Sequence, residues 1–158
     1  MPLENNNLYI ITKLFCGYFH WGLLVVDDIG ITTCHKWAQD ESKTNNTYTQ
    51  GEVDVVMTYP GLALVYAKVQ GYKPDPAAVT EVCRATSEST RPQGQQPLAS
   101  QTWVRAVLNG LEVRGLVRMD GGVAEVASRV ATWSKEQELL YLEAFMKGEA
   151  YVPAVERL

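Results

Sequence analysis

Two runs dense in Tyr, Ile, Leu, Phe and Val, Leu8 to Phe15 and Tyr18 to Val26, stand almost end to end with Gly17 between them. β-Branched and aromatic side chains suit a pleated, half-buried backbone, so this spacing predicts two adjacent strands joined as a hairpin. Asp27-Asp28-Ile29-Gly30 follows as a turn signal, and Ile31 to Trp37, carrying Cys34 and His35, predicts a third strand paired with the second. Gln39 to Gln50 is polar and interrupted by Asn45-Asn46-Thr47, which predicts an exposed loop. Val53 to Tyr59 and Leu62 to Val69 read as two more strands separated by the Pro60-Gly61 turn.

After Lys73 the apolar period changes from two to that of a helix. Asp75 suits a cap, Pro76 the first turn, and Val79, Val82 and Cys83 recur on one face. Ser87 to Pro97, with two prolines, a glycine and three glutamines, predicts a flexible connection ending just before Ser100. Trp103, Val104, Val107, Leu108 and Leu111 then mark a helix running from Ser100 toward Gly115, with Ser100 in its first turn. Val123 to Val130 predicts another helix, Leu139 to Met146 a last one stopped near Gly148, and Glu149 to Val155 an edge segment. The expected architecture is α+β, an antiparallel sheet of about five strands packed against three to four helices. A chain of 158 residues, 46% hydrophobic, fits one domain spanning 1–158 with a core of its own.

The charge balance, 14 basic against 18 acidic side chains, forms no long run of one sign, so no nucleic-acid partner is expected. No apolar run approaches the length of a membrane span, and the N-terminal residues lack a signal-peptide pattern. Cys16, Cys34 and Cys83 form no CxxC pair, which suits a reducing, cytoplasmic setting. A zinc site drawn from Cys16, Cys34, His20 and His35 matches no compact ligand pattern, so neither a metal nor another cofactor is expected. Cys34 and His35, being neighbours on a strand, should point to opposite faces, while Cys83 reads as core.

The chain has two histidines, His20 in Phe-His-Trp-Gly and His35 in Cys-His-Lys-Trp, on successive predicted strands. Facing positions on an antiparallel pair bring side chains together, so one imidazole is expected to orient the other. A nucleophile in the first turn of a helix gains from its unpaired N–H groups and the positive end of its dipole, which is where Ser100 is expected. Asp54 or Glu52 is a further candidate for orienting an imidazole, and Gln101 or backbone amides near Ser100 for an oxyanion hole. Trp21, Trp37 and Trp103 are candidates for lining an acyl or aromatic pocket, with core packing the plainer reading.

His20-Trp21-Gly22, His35 and Ala99-Ser100-Gln101-Thr102-Trp103-Val104 resemble the permuted papain-like superfamily, the lecithin:retinol acyltransferase and NlpC-peptidase branch. The last segment is similar to the Asn-Cys-Gln-Thr-Trp-Val stretch of fungal proteins of this type, with Ser100 where the nucleophilic cysteine stands and Ala99 for asparagine. The resemblance implies a papain-like fold, His20 as base, His35 as its orienting partner, and attack by position 100 on an amide, ester or thioester carbonyl. It implies an acyl or small-molecule substrate. Serine at position 100 is open to three readings: an introduced Cys-to-Ser exchange, a natural non-catalytic relative, or a working serine. A hydroxyl needs full general-base help where a thiol does not, so weak or absent turnover is expected. Two alternatives stand beside a hydrolase or acyltransferase: a small-molecule-binding or accessory protein of specialised metabolism, and a cyclase or isomerase using His20 as acid or base.

Overall fold

The computed structural model describes residues 3–15, 18–39, 45–53 and 63–158, without the side chains of residues 15, 96 and 97. Six strands lie in these residues: β1 (Asn7–Phe15), β2 (Tyr18–Val26), β3 (Thr32–Gln39), β4 (Asn46–Glu52), β5 (Ala63–Lys68) and β6 (Ala154–Arg157). Three helices accompany them: α1 (Pro76–Ser89), α2 (Gln96–Val113) and α3 (Val123–Lys147). The strands form one sheet in the order β4-β3-β2-β1-β5-β6. All neighbours are antiparallel except β5 and β6, which run parallel, so the sheet is mixed rather than wholly antiparallel.

The predicted hairpin forms, from Asn7 opposite Val26 to Phe15 opposite Tyr18. Asp27 closes the turn into β3: its Oδ1 accepts the amides of Ile29 at 3.0 Å and Ile31 at 2.8 Å. Strand β4 corrects the expected loop at Gln39 to Gln50, since Asn46 to Glu52 pairs with β3 along its whole length. An edge strand solvated on one face is polar by necessity, and Thr-Tyr-Thr alternation is all that remains of a strand signal there. Of the run Val53 to Tyr59, all but Val53 lies outside the described residues, whereas β5 forms as expected.

Alternation divides the sheet into two buried faces. On the first, Leu8, Ile10, Trp21, Leu23, Val25 and Trp37 pack against the helices. On the second, Tyr9, Ile11, Leu24, Val26, Cys34 and Tyr66 form a smaller cluster. Helix α2 brings Trp103, Val104, Val107, Leu108 and Leu111 onto the first face, one apolar stripe at helical spacing. Asp75 caps α1 through the Ala78 amide at 3.0 Å, with Pro76 in the first turn. Gly110 sits where α1 crosses α2, and a Cβ there would meet Val82 Cγ1 at 2.9 Å.

Two helical predictions are corrected. The connection expected from Ser87 to Pro97 is shorter, because α1 continues to Ser89 and α2 already starts at Gln96. The separate helices expected at Val123 to Val130 and Leu139 to Met146 are one helix, α3, ended by Gly148 at φ +68°. Its first half is buried through Val123, Val126, Ala127, Val130 and Ser134, and Ser134 Oγ meets Thr12 Oγ1 of β1 at 2.7 Å. No helix among the described residues is long and apolar enough to cross a membrane.

Leu108 is wholly enclosed between α2 and the sheet. Leu108→Ala is expected to lower the free energy of unfolding by about 2–5 kcal/mol, read as a lower urea midpoint at unchanged slope. A loss under about 1 kcal/mol would mean that this layer of the core is not packed as described.

Candidate functional site

Ser100 is the fifth residue of α2, not part of an exposed first turn. The helical ladder has already begun one residue earlier, where the Ala99 amide donates to the Gln95 carbonyl at 3.0 Å. The unpaired amides and positive dipole end of the helix therefore lie a turn before Ser100. The residue is 0% exposed. Its Oγ accepts the Trp21 amide of β2 at 3.1 Å. The β2–β3 ladder stops at the Gly22–Lys36 pair, and Ser100 meets the next amide along β2, pinning α2 to the sheet where two strands part.

The expected pairing of the imidazoles is not formed. Leu23 lies opposite His35, and Gly22 opposite Lys36, so cross-strand partners in this hairpin join an odd number to an odd one and an even number to an even one. An even-numbered His20 and an odd-numbered His35 then point to opposite faces of the sheet. His20 sits across from Lys13 on the face away from the helices. Its imidazole is held neutral, its pKa pushed down to about 4 by burial first and then by the charges of Lys13 and Lys36. A hydrogen bond to the backbone of Trp37 acts in the opposite sense. The partner that the structure gives His20 is thus main chain, not His35.

His35 faces the helices and is buried to 1% exposure. Its Nδ1 lies 2.7 Å from Tyr48 Oη, and the two rings lie 6.1 Å apart at an angle of 4°. Tyr48 Oη donates to Gln50 Oε1 at 3.1 Å, which leaves the Tyr48 oxygen to accept from His35 and places the imidazole proton on Nδ1. Burial, followed by the charge of Arg84, lowers the His35 pKa to about 4, and burial raises that of Tyr48.

Trp21, Trp37 and Trp103 are core residues, the plainer of their two readings. Trp37 and Trp103 stack at 6.4 Å, and Tyr48 and Trp103 at 5.7 Å. Trp37 Nε1 donates to the Pro92 carbonyl at 2.7 Å and Trp103 Nε1 to Ser87 Oγ at 2.9 Å, so both indoles are satisfied within the protein. Trp21 contributes its ring to the same core and its amide to Ser100. Gln101 is half-buried one position further along α2. Glu52 is exposed at the end of β4 opposite Thr33, and Asp54 lies outside the described residues.

Cys34 falls on the face opposite His35, as alternation requires, and Cys83 is in the core with its thiol pushed up to about 12 by burial. Cys16 lies outside the described residues. Among the described residues no group of three His, Cys, Asp or Glu is placed to hold a metal ion.

Sequence reasoning misses Tyr48, the partner of His35, because its strand reads as a loop, and misses Lys13 and Lys36 around His20. The alternating Thr47-Tyr48-Thr49 is the one signal that points to Tyr48. The lysines can be placed only with the strand register. No protein family, curated protein or solved structure matches this chain, so its likeness to papain-like enzymes rests on the sequence segments alone.

Both imidazoles have a lower pKa when folded than the ordinary value of 6.5. Above about pH 6.5 folded and unfolded chains are both neutral at these groups and stability is complete. As pH falls from there toward about 4, the unfolded chain gains protons that the folded chain does not, and stability is lost. Urea midpoints measured between about pH 7 and pH 5 are expected to fall, and to fall less steeply in His35→Gln and in His20→Gln. A native midpoint flat across that window would rule out neutral, buried imidazoles.

Proposed function

We propose that this chain is a non-catalytic small-molecule-binding or accessory protein, built on a scaffold related to the papain-like acyl-transferring enzymes. The observation that carries this reading is the place of Ser100. A nucleophile must reach a carbonyl and hand its proton to a base, yet this hydroxyl is enclosed beyond the helix terminus and accepts the Trp21 amide. His35 is committed to Tyr48 on one face of the sheet while His20 points to the other. A serine in such a position acts as a polar pin between helix and strand.

A second reading, a latent acyl-transfer site of Ser100 and His20, requires the His20 ring to come round the open end of the β2–β3 ladder, beyond the Gly22–Lys36 pair, to the face that carries Ser100. Ser100 bonds to the residue that follows His20, and the neutral His20 ring is fixed through the Trp37 backbone. A neutral imidazole anchored by one nitrogen keeps the other as a proton acceptor, the state a general base requires. Such a site would hydrolyse or transfer an acyl group, and its rate would rise with a thiol at position 100.

The two readings separate in one experiment on the native chain, Ser100→Cys and Ser100→Cys/His20→Ala, each treated with fluorophosphonate and acyl-thioester probes. The expected result is no active-site labelling of any form, and midpoint increases of the native chain with N-acyl amino acids but no product. Labelling of Ser100 itself, or labelling of S100C that His20→Ala abolishes, would establish the enzyme instead. Ser100→Ala is expected to cost about 1–3 kcal/mol of stability, because the Trp21 amide loses this acceptor inside the core.

A further inference from the structure

Helix α3 carries two apolar faces. The first, Val123, Val126, Val130 and Ser134, is buried against the sheet. The second begins only at Leu139 and continues through Leu142, Phe145 and Met146, a stripe at helical spacing turned about a third of a turn from the first. Its members stand in solvent: Leu139 is 69%, Phe145 72% and Met146 86% exposed. The stripe is held rigid from beneath. Phe145 stacks on Tyr141 at 6.5 Å, Tyr141 meets Tyr151 edge-on at 5.4 Å, and Tyr151 Oη donates to the Leu64 carbonyl of β5 at 3.1 Å. An ordered apolar patch of this kind on a helix marks a surface that another molecule covers.

We infer that the second face of α3 is a homodimer interface, in which the same stripe of a second copy packs antiparallel across Leu142. The pattern of side chains is self-complementary about that point. Two-fold pairing centred on Leu142 sets Leu139 against the partner's Phe145, a contact that occurs twice, and Leu142 against its own copy on the axis. The size is adequate: the stripe offers on the order of 500 Å² of apolar area per copy, and Lys135 and Glu138 beside it extend it toward the roughly 800 Å² per partner of a standard interface. Glu136, Glu138 and Glu143 flank the stripe in a chain of net charge -4, which disfavours an anionic lipid surface as the occupant.

Sedimentation velocity on the full chain tests this directly. The native protein is expected to reach twice the 17.6 kDa mass of one chain at concentrations up to about 100 µM. Leu142→Glu places two carboxylates on the symmetry axis, and Met146→Glu sets one beside the partner's Glu138. Each is expected to weaken association by about 100-fold or more with unchanged circular dichroism, since both positions lie outside the core. A chain that stays monomeric, including one that floats with phosphatidylcholine vesicles instead, overturns the inference. So does a dimer that L142E and M146E leave intact.

Discussion

The register between β2 and β3 decides what every polar side chain of this sheet can reach. Gly22 against Lys36 and Leu23 against His35 fix a hairpin in which neighbours across the strands agree in parity. One residue of slip would exchange the two faces, sending Trp21, Leu23 and Val25 away from the helices. With both faces buried, that exchange would force every large side chain into the wrong cluster. The same register sends His20 to Lys13 and Lys36, and His35 to Tyr48. Neither histidine is free to move toward the other without breaking the sheet that holds it.

On the helical side, polar groups are consumed in stitching layers together. His35, Tyr48, Trp103 and Trp37 form a chain of stacked rings from β3 and β4 to α2. The Pro92 carbonyl ties the connection between α1 and α2 to this stack, accepting from Trp37 Nε1 and from Asn46 Nδ2 at 3.2 Å. Arg91 lies over the Trp37 ring at 5.8 Å, closing the outer side. Buried polar groups satisfied in this way specify how layers seat on one another. Ser100 and the Ser134–Thr12 pair repeat the device at α2 and α3, each joining a helix to a particular strand.

Elements with strong local signals are legible in the pattern of residues. The β1–β2 hairpin, the Asp27 turn, the cap at Asp75 and the apolar stripe of α2 all follow from side-chain type and spacing. Boundaries are less so: Ser100 reads as a helix opening because Ser87 to Pro97 is rich in residues that avoid helices, yet α2 starts at Gln96. Strand β4 is hidden because an edge strand's outer face carries the composition of a loop. The positions of the histidines depend on register, a long-range property that no window of sequence contains. Reading them as partners requires only neighbouring strands, whereas contact requires the same parity.

Gly110 allows α1 and α2 to approach until only a hydrogen atom separates the backbone of one from Val82 of the other. Contact this close couples the helices mechanically. Thr86 also borders Gly110, and its neighbour Ser87 accepts from the Trp103 indole, so the crossing and the ring stack share one stretch of α1. A methyl group introduced at position 110 would act as a wedge, driving α1 and α2 apart beside the residues that anchor the aromatic column.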